Sequence, residues 1–279
     1  MIDIDWGPLF PDRAHRWGMG LRRGDSVAAF FARGNTASQV LEERRRHLRD
    51  SPSVYALALP HATDLIEATF GLAETWGVTF ADLVEPPSSA VERLIALGGR
   101  VEPDLVLLRV DAQGTHRVVA GVVCFPSSWG LADKLGRTMF DVHGPVPGLN
   151  EPLARPIETF LTKLEAGVPW LRDNWGLCRD GRLNHHPSIP RRPLDETVTA
   201  DEVYVRVERQ LLVRLPGADG VLFGIRVEPI PLTSLFADRA AVAGLARALG
   251  TMSDDAASYK GLLRARMRLL SILDGESRV

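Results

Sequence analysis

From Val203 to Leu215 the chain alternates apolar and polar residues almost without a break. Val203, Val205, Val207, Leu211, Val213 and Leu215 share one parity, and Tyr204, Arg206, Glu208, Gln210 and Arg214 share the other. Only an extended strand sorts such a pattern onto two faces, because successive Cβ atoms point to opposite sides of a sheet. Pro216-Gly217-Ala218-Asp219-Gly220 then reverses the chain. Val221, Phe223, Ile225 and Val227 alternate again behind it, which predicts an antiparallel hairpin. Arg209 breaks the pattern by falling on the apolar parity, where a charge needs a partner: a bound carboxylate or phosphate, Glu208, or an acid on a neighbouring helix.

The rest of the chain supplies more strand and flanking helix. Leu105–Val110 and Arg117–Phe125 read as strands around the loop Asp111-Ala112-Gln113-Gly114. Before them, helices are predicted over about 37–49 and 61–75, the second opened by Pro60. A third starts at Ser89, whose spacing to Glu92 is that of a capping box, with Gly98 as its stop. Residues 1–35 read as irregular. Residues 126–150 read as a long Gly- and Pro-rich connection with a helical centre near Ala132, and a helix over 153–165 follows. Two amphipathic helices, about 235–249 and 255–273, end the chain. The order gives an α+β fold with an antiparallel sheet, read as one unit over 1–279 with a helical extension over about 1–100.

Composition narrows the function. Of 279 residues 33 are basic and 35 acidic, so the net charge of -2 offers no field for nucleic acid. No stretch approaches the roughly 18 apolar residues of a membrane span. The N-terminus lacks a signal-peptide pattern, and a cytoplasmic protein is expected. Two cysteines make neither a disulfide framework nor a four-cysteine zinc site. Walker, Gly-x-Ser-x-Gly, His-Glu-x-x-His and Cys-x-x-Cys-His motifs are absent, and Gly18-Met19-Gly20 follows no predicted strand, so no Rossmann turn is expected.

Three segments carry side chains suited to chemistry. His143 lies among Gly144, Pro145 and Pro147. Prolines stiffen a loop, and a stiff loop can aim an imidazole as an axial ligand or a general base; a histidine that merely bonds a carbonyl fits as well. Arg172-Asp173-Asn174-Trp175 can wall a planar ligand with Trp175 while Arg172 meets a carboxylate, or can be a buried Trp beside a surface ion pair. The polar parity of the long strand, Arg206, Glu208, Gln210 and Arg214, can line a site or form an ion-pair network. His185-His186 reads as a solvated loop, and Cys124 as a small core residue. Ser127 or Ser128 with His143 lacks a third member for nucleophilic catalysis.

In order, the chain contains Phe-Pro-Ser-x-Trp at 125–129, Lys-x-Gly at 134–136, His-x-Pro-Val-Pro at 143–147, Arg-x-Asn-Trp at 172–175 and Arg-x-Glu-Arg-Gln-x-Leu-x-Arg-Leu-Pro at 206–216. Together these motifs resemble the haem-dependent oxidative N-demethylase family, over roughly residues 15–270. The resemblance implies a PAS-like antiparallel sheet holding a non-covalent b-type haem. It implies oxidation of a small secondary amine such as dimethylamine by dioxygen, with release of formaldehyde. Electrons would come from a separate NADPH-dependent reductase subunit with flavin or an iron–sulfur centre. A tetrahydrofolate-binding subunit would take the formaldehyde.

On that resemblance His143 is the expected axial iron ligand, since a neutral imidazole suits haem iron and nothing near Cys124 supports a thiolate. Lys134, Arg172, Arg209 and Arg226 are the candidates for the propionates. Trp175 and Phe223 are candidate porphyrin walls. Glu208, Tyr204 and Asn174 are the candidate catalytic groups, unranked. A haem-based PAS-like sensor, or a haem-binding protein without turnover, shares every one of these features except the electron partner.

Overall fold

The computed structural model describes residues 5–83 and 85–277. In chain order its elements are β1 (Arg22–Arg23), α1 (Val27–Phe31), α2 (Ala37–Asp50), α3 (Pro52–Tyr55), β2 (Ala56–Ala58), α4 (Thr63–Leu72) and α5 (Ala90–Gly98). There follow β3 (Asp104–Val110), β4 (His116–Val122), α6 (Met139–His143), α7 (Asn150–Thr162) and β5 (Trp170–Cys178). The chain closes with β6 (Tyr204–Arg214), β7 (Val221–Pro231), α8 (Arg239–Thr251), α9 (Asp254–Tyr259) and α10 (Arg266–Ser277).

These residues form a seven-stranded antiparallel sheet in the order β1-β5-β6-β7-β3-β4-β2, so the fold is α+β. The expected hairpin is its centre: β6 and β7 pair from Tyr204 opposite Pro231 to Arg214 opposite Val221. Among the described residues no helix is long and apolar enough to cross a membrane.

Register divides the sheet into two faces. The back face carries Val205, Val207, Leu211 and Val213 of β6, and two separate helical groups bury it. α2, α4 and α5 cover one end through Leu48, Leu65, Ile66, Leu94 and Leu97. α8, α9 and α10 cover the other through Leu245, Leu249, Ala257 and Leu269. A cavity of about 310 Å³ on this sheet is lined by Arg22, Asp173, Arg209, Arg226 and Glu228, with Ala29 and Phe30 of α1. The front face carries Val106, Leu108, Val118, Leu212, Val221 and Phe223, packed beneath Leu131, Val142, Leu161 and Leu164 of the segment that includes α6 and α7.

Several sequence expectations need correction. The strand β5 is missing from the periodicity reading because both of its faces mix polar and apolar residues, Trp170, Arg172 and Asn174 alternating with Leu171, Asp173 and Trp175. The short α1 and β1 lie in the stretch read as irregular. The helix in the 126–150 connection spans 139–143 rather than the region of Ala132, because Thr138 and Asp141 form a capping box there. α7 runs over 150–162, starting and ending three residues before the expected bounds. The expected helix 255–273 is broken between α9 and α10, where Gly261 takes a left-handed φ of 69°. The Ser89–Glu92 capping box is present as read. Gly98, however, is the last residue of α5, and a Cβ there would sit 2.4 Å from Val122, so close helix–sheet approach requires the glycine.

Candidate functional site

The front face holds a strip of polar side chains where an apolar layer would be cheaper. Register places Asn174 opposite Glu208 and Arg172 opposite Gln210. Asn174 Nδ2 donates to Glu208 Oε2 at 3.1 Å, and Gln210 Nε2 donates to the same oxygen at 2.8 Å. Glu208 is only 9% exposed. Its carboxylate is thus held by two neutral amides through one oxygen. A buried carboxylate without a directly bonded cation is costly unless a ligand or nearby charge compensates it.

Arg172 supplies part of that charge and is itself short of partners. Its buried Nε has no hydrogen-bond partner among the described residues. Burial pulls its guanidinium below the usual range, while Glu208 and Asp173 act in the opposite direction. An orphaned buried donor of this kind costs on the order of 1–3 kcal/mol, more when charged, and suits an anionic ligand such as a carboxylate.

The charge of Arg172 reaches His143. It is the last residue of α6, not a member of an irregular loop, so helix geometry rather than proline bracing aims it. Thr138 Oγ1 accepts from the Asp141 N–H, Asp141 caps in return, and Lys134 Nζ donates to the Val142 carbonyl at 3.0 Å. Lys134 therefore ties down the C-terminal end of α6. Burial, then the positive charges of Arg172 and Lys134, lower the His143 pKa to about 4, against hydrogen bonding to the Met139 backbone. The imidazole is neutral at neutral pH, the form that ligates a metal. His143 also lines a cavity of about 270 Å³ between α6 and α7, with Met139, Phe140, Ala154 and Ile157 as apolar walls. Phe140 is 59% exposed there, a large apolar surface left uncovered.

The remaining candidates divide between the faces. Phe223 belongs to the front layer. Tyr204 is at the far end of the same face, where its ring packs on Gly181, two strand positions beyond Arg206 and away from the Asn174–Glu208 pair. Arg209, Arg226 and Trp175 are on the back face. Arg209 Nε pairs with Glu228 Oε2 at 3.3 Å, so the adjacent strand supplies an acid for it. Arg226 pairs with Glu102 at 2.9 Å and donates to the Phe30 and Ala32 carbonyls. Trp175 packs against the C-terminal helical core.

Arg206 and His185 turn out to hold loops. Arg206 is buried and donates to Ser127 Oγ at 2.7 Å and to the carbonyls of Phe125, Pro126, Arg182 and Leu183. The Phe-Pro-Ser and Arg-x-Glu motifs are therefore one clamp. His185 is 1% exposed, not solvated. It lies 3.1 Å from Asp180 and 3.0 Å from Arg191, whose other nitrogen donates to Ser128 Oγ. Burial pushes the Cys124 thiol up to about 12, as expected of a core cysteine and not of a thiolate ligand.

Sequence reasoning missed Lys260 and Trp17, and gave Gln210 no role of its own. Lys260 Nζ donates to the Trp175 carbonyl at 2.7 Å, and both Glu208 and Arg172 act on it electrostatically. Trp17 Nε1 donates to the Pro147 carbonyl at 2.7 Å, in the segment following His143. The one available signal was scarcity: Lys260 is one of three lysines among 33 basic residues.

The front face thus gathers a neutral imidazole, an orphaned guanidinium, an amide-held carboxylate and exposed apolar surface. A family model described as haem-dependent oxidative N-demethylase, alpha subunit-like, matches residues 38–270, which include every one of these four groups.

Proposed function

The chain belongs to the haem-dependent oxidative N-demethylase, alpha subunit-like family, and from that premise we propose that it demethylates a small secondary amine of the dimethylamine type at a b-type haem on the front face. The single observation behind the placement is the orphaned Nε of Arg172 within the electrostatic reach of neutral His143. A bound haem would be held by His143 at its iron, which a neutral imidazole suits, and by Arg172 at a propionate, which a guanidinium suits. Phe223 and the apolar walls of the α6–α7 cavity supply flat contact. Arg209 and Arg226 are committed to Glu228 and Glu102 on the other face, so Arg172 is our choice for a propionate. We read the sheet with its helical flanks as PAS-like and the whole chain as one haem-binding unit.

When bound, the haem supplies the dioxygen chemistry; the chain supplies ligation, orientation and proton handling. Glu208 is our choice for the group that meets the amine. With Oε2 held by Asn174 and Gln210, Oε1 remains to accept an N–H from an alkylammonium or to take its proton. Asn174 acts by fixing that carboxylate. Each methyl removed consumes one dioxygen, two electrons and two protons, and yields formaldehyde, water and the demethylated amine. The chain has no recognisable dinucleotide motif of its own, so a reductase subunit with flavin or an iron–sulfur centre delivers electrons from NADPH. A tetrahydrofolate-binding subunit accepts the formaldehyde. The family description, alpha subunit-like, supports a multi-subunit enzyme.

The test is a visible spectrum of protein from haem-supplemented cells, wild type beside His143→Ala, followed by a formaldehyde assay on small methylamines with chemical or enzymatic reduction. A Soret band lost or shifted in the variant, with formaldehyde from the wild type, is expected. A Soret band without formaldehyde from any methylamine makes the chain a sensor or carrier. No Soret band after haem titration removes the proposal.

A further inference from the structure

Three parts of the chain that are far apart in sequence meet beside the Glu208 strip. β1 pairs with β5 only at Trp170 and Leu171 among the described residues, leaving the β5 edge without a strand partner at Trp175. Lys260 covers it. The break after α9 turns the side chain back onto the sheet, and Nζ donates to the Trp175 carbonyl at 2.7 Å. The same ammonium lies 4.5 Å from the Trp175 ring centroid and 5.6 Å from that of Trp17. The ammonium therefore faces two indole rings while it donates to the sheet edge, a cation–π arrangement closed by a hydrogen bond.

Trp17 then reaches further. Its Nε1 donates to the Pro147 carbonyl at 2.7 Å, four residues beyond His143, and Tyr259 packs edge-on against it at 6.4 Å. The segment bearing Trp17 is firmly seated. Trp6 and Phe10 stack and enter the C-terminal core, and Phe10 meets the Trp175 ring at 5.3 Å. The Phe10 carbonyl lies so close to α8 that a Cβ on Gly244 would fall 1.9 Å from it. His15 N–H donates to Thr251 Oγ1. Residues 5–17 lie outside the region matched by the family model, which begins at 38.

We propose that Trp17, on the N-terminal segment, and Lys260 form a clip that positions the 143–149 segment over the front face. Trp17 and Lys260 are positioning residues: they act on His143 through Pro147 and on the sheet edge through Trp175. The clip depends on the charge of Lys260. The ionisable groups facing that charge are Glu208 on β6, Arg172 on β5, His15 on the N-terminal segment and the neighbouring Tyr259. Burial, with Arg172 as a like charge, lowers the Lys260 pKa to about 8 against the pull of Glu208, so the clip loosens under mildly alkaline conditions. The geometry of the clip does not require haem. Its relevance to turnover rests on the proposed role of His143.

Hydrogen exchange on the full haem-free chain tests it, read at the amides of Gly144, Val146 and Leu149, which donate to the carbonyls of Asp141, His143 and Val146. Trp17→Phe keeps an aromatic ring over Lys260 but removes the donor to Pro147. Lys260→Met removes the charge. Each variant should raise exchange at these amides tenfold or more, with β6 and α8 protected as in the wild type. In the wild type, exchange corrected for its intrinsic pH dependence should rise between pH 7 and 9, and in Lys260→Met it should not. A purely structural lysine would leave that profile unchanged. Exchange within twofold of wild type in both variants, or the same pH profile with and without Lys260, overturns the clip. If Lys260→Met fails to fold, Trp17→Phe and the wild-type pH profile decide. A missing Soret band with these exchange effects intact sinks the haem reading and leaves the clip standing.

Discussion

The carboxylate of Asp104 lies 2.6 Å from the guanidinium of Arg44, with both side chains no more than 1% exposed. Asp104 also accepts the N–H groups of Cys124 and Phe125, and Arg44 donates to the carbonyls of Gly98 and Glu102. One buried pair thus joins α2, the end of α5, β3 and the start of the Phe-Pro-Ser motif. Removing one partner leaves the other charge buried and unpaired. Asp104→Ala should cost about 3–5 kcal/mol in urea unfolding. The double variant Arg44→Met, Asp104→Leu should recover only the part due to the stranded charge, because the N–H groups of Cys124 and Phe125 still lose their acceptor. A cost below about 1 kcal/mol for the single variant would refute the assignment.

Arg172 and the pair Arg209 and Arg226 should separate in haem retention. Arg172→Gln removes the orphaned donor and should weaken haem binding by roughly 10- to 100-fold, the worth of a charge-assisted hydrogen bond. Arg209→Gln and Arg226→Gln lie behind the sheet and should leave haem affinity within about twofold while lowering stability. Transfer of haem to apomyoglobin measures all three. The reverse ranking would put the haem on the back face.

Glu208→Gln keeps the shape and both amide contacts but loses the charge. Formaldehyde formation should fall by about 10²–10⁴-fold with the Soret band retained, the range for loss of a general acid or base. Tyr204→Phe, at the far end of the strand, should change the rate less than about threefold. Equal effects of the two variants would remove Glu208 from its role.

Stability should fall on acidification through the histidines. Burial, aided by neighbouring arginines, lowers both His143 and His185 from 6.5 to about 4. The unfolded chain takes up these protons near pH 6.5 while the fold refuses them until about pH 4. Their contribution is therefore complete above pH 6.5 and drains away as the pH falls toward 4. The buried His185 accounts for at most about 3 kcal/mol of it. Urea midpoints from pH 7.5 to 4.5 should decline, and His185→Gln should flatten the decline. A pH-independent midpoint over that window would contradict the burial of both rings.

Local pattern alone determined the β6–β7 hairpin, the β3–β4 pair and the capped start of α5, because each is decided by neighbours within a dozen residues. It also put Glu208 and Arg209 on opposite sides of one strand, since parity is a property of the backbone. It could not decide which arginines share a face with Glu208. That depends on the register of β5 and β7 against β6, and β5, half-buried and polar on both sides, gives no periodicity to read. The Thr138–Asp141 cap was visible in the sequence but was overshadowed by the prolines that follow His143. Tertiary structure alone decided that Arg172 keeps an unpaired Nε while Arg209 and Arg226 meet Glu228 and Glu102, and that His185 is buried. It alone brought Trp17, Trp175 and Lys260 together, because cation–π contact and edge capping act across space and leave no spacing rule along the chain.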